Sequence, residues 1–192
     1  RQRTKAAEIA TATHQCPMLD LPALLGLAEG KAYAQLTRLQ PPEALQDTWK
    51  QRLGAARAPR IALVWAGNPT HVNDKQRSLP LALMRRLVHG LPGAEFHSLQ
   101  VGDNAMDLTG SNLPIQDWSA RIGSYADSAA LLKLMDAVVT VDTSVVHLAG
   151  SMGCPTWLLL PAVPEWRWDT PESREDTCLW YDSVHYVRQQ QA

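Results

Sequence analysis

The sequence is short of the residues that define several large classes of protein. It has a single Phe and only three cysteines, Cys16, Cys154 and Cys178, in 192 residues. Three scattered cysteines suit neither a disulfide framework nor a zinc site, so we expect a reducing, cytoplasmic setting. No apolar run approaches the ~20 residues of a membrane span, and the amino-terminal residues lack the apolar region of a signal peptide. We therefore expect no membrane span.

Motifs of several common chemistries are absent too. Neither GxGxxG nor GxxxxGK[ST] occurs, so no glycine pattern indicates a dinucleotide or P-loop site. The six histidines show no HExxH spacing, and neither Asp-X-Asp nor GxSxG is present. With 18 basic and 19 acidic residues the formal net charge is -1, which argues against broad binding to nucleic acid. We expect no metal site and no cofactor.

The sequence does contain a change of pattern near residue 58. Residues 1–57 are basic overall and predict interrupted helices, one over Thr4–Thr13 and one that follows Pro42 and ends near Gly54. We interpret residues 1–57 as a helical linker or packing arm with no core of its own. This arm could pack on the following domain, on a neighbouring one, or between two copies as a homo-oligomer.

Residues 58–192 predict one Rossmann-like domain, in which residues 161–192 form a tail rich in acids and Trp. Short apolar strands alternate with helices, an alternation that predicts an α/β fold with a parallel sheet covered by helices on both faces. The expected strands are Ile61–Ala66, Glu95–Gln100, Ile115–Trp118, Ala137–Val141 and Thr156–Leu160, and the expected helices are Leu81–Val88, Ser128–Met135 (with Asp127 as N-cap) and Val145–Met152.

Polar residues follow the strand that ends at Val141. Ligands of such sheets bind beyond the carboxyl ends of the strands, where helix N-termini favour anions. Asp142, Thr143 and Ser144 occupy this position, and His147 lies one turn further along the helix. The same residues would also form an ordinary N-cap with a packed histidine, and this stretch alone leaves both interpretations open.

Basic residues follow the first strand. Lys75 and Arg77 lie in a polar loop before Pro80 and could close over a pyrophosphate. Gly67, at the end of the strand, would let the backbone approach the phosphates closely. A solvated surface loop is an equally good interpretation of these residues taken alone.

Taken together, these segments resemble a known family. The matching stretches are IALVWAGNPTHVNDKQRSLPL, FHSLQVG and YADSAALLKLMDAVVTVDTSVVHLAGSMGCPTWLLLPAVPEWRW, within residues 58–188. They are similar to the C-terminal half of heptosyltransferase-like GT-B glycosyltransferases, especially those associated with tetratricopeptide repeats in bacteria. The resemblance implies two Rossmann-like domains facing each other across a cleft, with the donor held mainly by the C-terminal one. It also implies inverting transfer that needs no metal.

The resemblance assigns roles to the candidate residues. Arg77, Asp142 and His147 match the catalytic positions: the basic residue that neutralises donor phosphate, the first residue of the donor motif and the histidine after it. The implied donor-binding residues, in the loop under the phosphates, beside Arg77, near the nucleoside and in the donor motif, are Gly67, Asn68, Lys75, Gln100, Thr143 and Ser144.

The implied partners are a nucleotide-sugar donor and a saccharide, lipopolysaccharide or protein acceptor. Family members take their general base from the N-terminal domain, and only about 60 residues precede the sheet here. We therefore expect this chain to bind a donor but to transfer little or nothing alone. Two alternatives stay open: a non-catalytic binding or scaffold module, and a sugar-nucleotide epimerase or hydrolase that uses the same phosphate site.

Overall fold

A computed structural model describes residues 13–26, 38–169 and 178–190, so the helix expected over Thr4–Thr13 lies outside these ranges except for its last residue. Six parallel strands form one sheet in the order β3-β2-β1-β4-β5-β6. The strands are β1 (Arg60–Val64), β2 (Glu95–Ser98), β3 (Ile115–Asp117), β4 (Ala137–Val141), β5 (Thr156–Leu160) and β6 (Val184–Arg188). This sheet confirms the predicted Rossmann-like α/β fold.

Helices lie on both faces of the sheet, as the sequence predicted. The longer ones are α1 (Glu43–Leu53), α2 (Leu81–Gly90), α3 (Tyr125–Leu132) and α4 (Ser144–Met152). Because successive strand residues point to opposite faces, Leu63 packs with α2 on one face, while Ala62 and Val64 pack with α1, α3 and α4 on the other. All three β1 side chains are buried, as expected for a central parallel strand.

Helix α1 shares the core of the sheet domain. Its Trp49 is completely buried, meets Trp118 edge-on with ring centroids 5.5 Å apart, and donates its indole N–H to Asp127. Residues 43–53 therefore pack on the sheet domain, which is one of the alternatives left open for the stretch 1–57.

Two local expectations differ from the structure. The N-cap of α3 is Ser124, and the prediction of Asp127 is wrong: Ser124 Oγ accepts the Asp127 N–H, and the Asp127 carboxylate accepts the Ser124 hydroxyl. This reciprocal pair resembles a capping box with an acid at the third helical position. Strand β6 was not predicted, because its short alternating pattern follows a charged, Trp-rich stretch that has no helical or strand period.

The strand order reverses between β1 and β4. From β1 the chain moves outward through β2 to β3, whereas β4, β5 and β6 extend in the other direction, and Leu63 pairs with Val139 at the junction. Ligands of open α/β sheets bind outside the carboxyl ends of the strands at such a switch point. The topology therefore directs attention to the residues that follow β1 and β4.

Candidate functional site

A cleft of about 550 Å³ opens at this switch point. Its walls come from the segment after β1, the segment after β2 and the first turn of α4. The lining residues that were predicted from the sequence are Gly67, Asn68, Arg77, Gln100, Thr143 and Ser144. The fold thus brings six of the nine candidate residues to one cleft, although they span 78 positions from residue 67 to residue 144.

The first turn of α4 faces this cleft. Thr143 caps the helix, because its Oγ1 accepts the Val145 N–H across 3.2 Å. Ser144 and Val145 line the cleft beside it. Free N–H groups and the positive end of the helix dipole favour an anion at such a position. Thr143 is therefore the helix cap as well as part of the cleft wall, and anion binding at this turn stays a prediction.

Arg77 bridges the two sides of the switch point. Its Nη1 donates to the Asp142 carbonyl oxygen at 2.9 Å, and its Nε approaches Asp74 Oδ1 at 3.3 Å. The side chain is only 17% exposed, yet it lines this cleft and also a second one. The fixed guanidinium places positive charge opposite the N-terminus of α4.

Asp74 and Ser78 hold the arginine and the loop before it. Asp74 is buried, and its Oδ1 accepts both the Arg77 guanidinium and the Ser78 hydroxyl, the latter at 2.9 Å. Ser78 Oγ in turn accepts the Gly67 N–H at 2.8 Å. A Cβ on Gly67 would lie 2.6 Å from Arg77 Nη2, so a side chain there would displace the guanidinium. Asp74 and Ser78 were not predicted, although both lie close to Arg77 in sequence.

Gln100 lines the cleft, but its amide is committed to the backbone. Its Oε1 accepts the N–H groups of Trp65 and Ala66, and its Nε2 donates to the Ala66 and Val101 carbonyls. The side chain fixes the segment after β1 to the end of β2. That Gln100 contacts a nucleoside stays a prediction. The residues that follow it, Val101–Asn104, line the same cleft.

A second cleft of about 530 Å³ lies on the other side of Arg77. Asp142, a predicted site residue, is buried and lines this cleft rather than the first. Glu165 and Arg167 from the tail and Asn73 and Gln76 from the segment before Arg77 line it as well. Arg77 therefore forms a common wall between the two cavities.

His147 and Lys75 are among the lining residues of neither cleft. Lys75 is exposed on the one-turn helix Asp74–Arg77. His147 stacks on the buried Trp168 ring at 5.2 Å, and its Nδ1 lies 3.1 Å from Tyr181 Oη. Burial lowers the pKa of His147, an effect that Asp142 opposes and Arg167 reinforces. The imidazole is therefore neutral near pH 7 and supports the first turn of α4 from the side of the tail.

Tyr181 and Trp168 both contact His147, and the sequence did not indicate either contact. A Cβ on Gly150 would meet the Tyr181 ring closely, so the glycine one turn after His147 makes room for it. Trp168 is fully buried, and the Trp180 indole donates to the Arg167 carbonyl at 2.8 Å. Trp168 belongs to a core cluster with Val146 of α4 and Leu158 of β5, and Trp180 packs against that cluster, so both attach the tail to the domain. Trp166, in contrast, is 59% exposed.

Two features are absent from residues 13–26, 38–169 and 178–190. No three His, Cys, Asp or Glu side chains in these ranges are arranged to hold a metal ion. None of the helices there is both long and apolar enough to cross a membrane.

Comparisons with known proteins show the fold. No family model matches the chain. It is 27% identical over 155 residues to Protein FlbA of Caulobacter vibrioides, a match that covers 76% of this chain and 25% of FlbA.

Three solved structures match in fold. They are the E. coli ADP-heptose lps heptosyltransferase II (15% identity, TM-score 0.53), E. coli heptosyltransferase WaaC with ADP (16%, 0.52) and a glycosyl transferase family 9 protein of Veillonella parvula (11%, 0.56). The matches cover 79–81% of this chain but only 42–46% of those chains. The chain therefore has the Rossmann-like fold of part of a GT-B glycosyltransferase, as the sequence resemblance predicted, and spans less than half the length of these proteins.

Proposed function

We propose that this chain is the donor-binding domain of a glycosyltransferase and that the first cleft holds a nucleoside diphosphate sugar. One observation supports this most directly. An arginine that is only 17% exposed, fixed at both sides of the topological switch point, faces the N-terminus of α4 across a cleft of about 550 Å³. A positive group and a helix N-terminus that converge on one space are suited to a diphosphate.

The parts of the donor follow from the walls of the two clefts. The diphosphate lies between Arg77 and the Thr143–Val145 turn, with Gly67 and Asn68 beneath it. The nucleoside extends towards Val101–Asn104, and the sugar extends past Arg77 towards Asp142 in the second cleft. Lys75, which is exposed, adds positive potential at the rim.

The proposed reaction is an inverting transfer. The acceptor hydroxyl oxygen forms a bond to the anomeric carbon from the face opposite the diphosphate, while the bond from that carbon to the leaving phosphate oxygen breaks. Arg77 and the dipole of α4 stabilise the negative charge that grows on the diphosphate, which is how we expect transfer to proceed without a metal. The acceptor proton passes to a base supplied by another domain. His147, packed on Trp168, acts by positioning the α4 turn.

A titration tests this proposal. Calorimetry measures the binding of ADP, UDP, GDP and CDP to the folded chain, once with a chelator and once with Mg²⁺. We expect one diphosphate to bind preferentially, equally well in both conditions. No binding by any diphosphate to a chain that unfolds cooperatively would contradict the proposal, and binding that needs Mg²⁺ would contradict its metal-independent form.

A second candidate function is a domain that binds a nucleotide without transferring a sugar. The observation that favours it is that His147, the predicted catalytic histidine, lines neither cleft. Release of free nucleoside diphosphate in the presence of donor and acceptor separates the two functions. The transferase proposal predicts release only when a second domain is supplied, in the same chain or in trans.

A further inference from the structure

One face of the sheet is left partly open. A groove of about 460 Å³ lies beside α2, over β1, β4, β5 and β6, and is lined by apolar side chains. Those that matter here are Leu83, Leu91, Val139, Trp157, Leu159 and Val187. Trp157 is 38% exposed and Val187 47%, so the described residues leave this part of the face uncovered. Parallel sheets normally have both faces covered, and open apolar patches usually mark a contact surface.

The same chain carries a second uncovered apolar surface. Met18–Leu25 has the sequence MLDLPALL and forms a 3-10 turn, Met18–Asp20, followed by the one-turn helix Leu21–Leu24. The side chains of Met18, Leu24 and Leu25 are 79%, 67% and 67% exposed. Two apolar surfaces that both remain in water gain free energy by covering each other, at about 25 cal/mol per Å² of apolar area.

The chain between these surfaces is anchored beside the edge strand β6, on the face of the sheet opposite the groove. The Leu39 N–H donates to the Ser151 carbonyl at 2.9 Å, and Arg38 pairs with Asp182 at 3.0 Å. Asp182 lies just before β6, the edge strand that contributes Val187 to the groove. The chain from Gly26 to Arg38 can extend to about 40 Å. Crossing the edge of a sheet to its other face needs only ~10–20 Å.

We propose that Met18–Leu25 packs into this groove of its own chain. A short tether raises the effective concentration of the segment at the groove to the millimolar range. Docking on the same chain is therefore favoured over docking on a second copy at ordinary protein concentrations. The packed segment would cover the open face of β4–β6 as a helix covers it in a doubly wound sheet.

A nitroxide spin label on Cys16 tests the proposal in the full chain. Cys16 is exposed two residues before Met18, whereas burial raises the pKa of the Cys154 and Cys178 thiols and slows their labelling. We expect the label to broaden the methyl signals of Val139, Leu159 and Val187 in NMR spectra. The methyl signals of Val101, at the carboxyl edge of the sheet, should stay sharp. Unbroadened groove signals would overturn the proposal.

A mixed sample separates the same chain from a second copy. Spin-labelled chain without isotopes is added to isotope-labelled chain without a spin label. Broadening of the groove signals in this mixture would show docking between copies and would overturn the proposal. No broadening is expected.

A pair of variants completes the test. The double variant Leu24→Asp/Leu25→Asp should abolish the broadening. It should also leave the chain folded, because both side chains are exposed whenever the segment is not packed in the groove. Met106→Asp, at a residue that is 70% exposed elsewhere, is the matched control and should leave the broadening unchanged. Persistent broadening in the double variant would mean that these leucines do not make the contact, which also overturns the proposal.

Discussion

The Arg77 guanidinium donates to the Asp142 backbone carbonyl across 2.9 Å and so connects the segment after β1 to the end of β4. This bond spans the point where the strand order reverses, which is where a ligand of such a sheet binds. Because the guanidinium is already held by Asp74 and by the Asp142 carbonyl, it loses little conformational freedom when an anion binds. Its charge is therefore available without reorganisation. The affinity of the cleft for a diphosphate should therefore depend strongly on Arg77.

Replacing Arg77 by Ala should weaken nucleoside diphosphate binding by about 10- to 100-fold, because a charge-assisted hydrogen bond contributes ~1.5–3 kcal/mol. Arg77→Lys should fall between, since it retains the charge and loses the planar fork. Calorimetry on both variants measures the effect. Arg85→Ala, at an exposed arginine of α2, is the control and should bind as the wild type does. Wild-type affinity in Arg77→Ala would show that the site is wrongly assigned.

Gly67→Ala should also reduce the affinity. The added methyl would lie 2.6 Å from both Arg77 Nη2 and Asp74 Oδ1, so these two side chains must move away from residue 67. Overpacking of this kind costs about 1–3 kcal/mol, and we expect lower thermal stability together with weaker diphosphate binding. Gly93→Ala is the matched control, because a Cβ there meets nothing within 4 Å. Equal melting temperatures and affinities for the two variants would contradict the close approach at Gly67.

The sheet and the cleft were largely predictable because their signals are local. Apolar runs such as Ile61–Ala66 and Ala137–Val141 stand just before polar segments, and parallel strands place those segments at one edge of the sheet. Arg77 and Thr143 could be found in this way. The hydrogen-bond partners of Gln100 could not be predicted. Its side-chain amide reaches back 34 and 35 residues to backbone groups that have no sequence signature.

The features that the sequence did not indicate depend on tertiary contacts. His147 lies one turn after Thr143 on α4, yet it contacts Trp168 and Tyr181 from the tail and lines neither cleft. With Ser124 rather than Asp127 as its N-cap, α3 begins three residues earlier than predicted. Polar residues stand at both positions, so the sequence pattern does not distinguish between them. In both cases the residue type indicated a local role, but the sequence did not show which contacts the side chain makes.

Gln100→Leu should destabilise the fold by roughly 2–4 kcal/mol, because the backbone groups of Trp65 and Ala66 would stay buried without partners. The two side chains have similar volumes, so the loss reports the hydrogen bonds rather than a cavity. Urea unfolding measures it. Gln116→Leu, at an exposed position on β3, serves as control and should change the free energy of unfolding by less than about 0.5 kcal/mol. Similar losses in both variants would show that the Gln100 amide does not fix the segment.

Stability should decrease as the solution becomes acidic, partly through His97 and His147. Burial lowers the pKa of both below the ordinary 6.5, helped at His97 by Arg60. Because the unfolded chain then takes up these protons first, the free energy of unfolding falls as the pH drops below about 6.5 towards the folded pKa values. His97 Nδ1 accepts the Trp118 indole N–H at 3.0 Å, and an imidazolium could not accept it.

Urea unfolding between about pH 7.5 and about pH 5 tests this direction. His97→Gln should flatten part of the pH dependence, whereas the control His89→Gln, at an exposed residue near the end of α2, should leave the slope as it is. A slope in the wild type that is unchanged in His97→Gln would assign the pH dependence to other groups.

Trp49→Ala should destabilise the whole sheet domain by about 3–5 kcal/mol, since a completely buried indole leaves a large cavity. Trp166→Ala removes the same side chain from a 59% exposed position and should cost far less. If α1 is part of the folding unit, calorimetry of Trp49→Ala will give one transition at a lower temperature. A separate early transition, with the main one unmoved, would instead show that residues 43–53 are an arm that unfolds independently of the sheet.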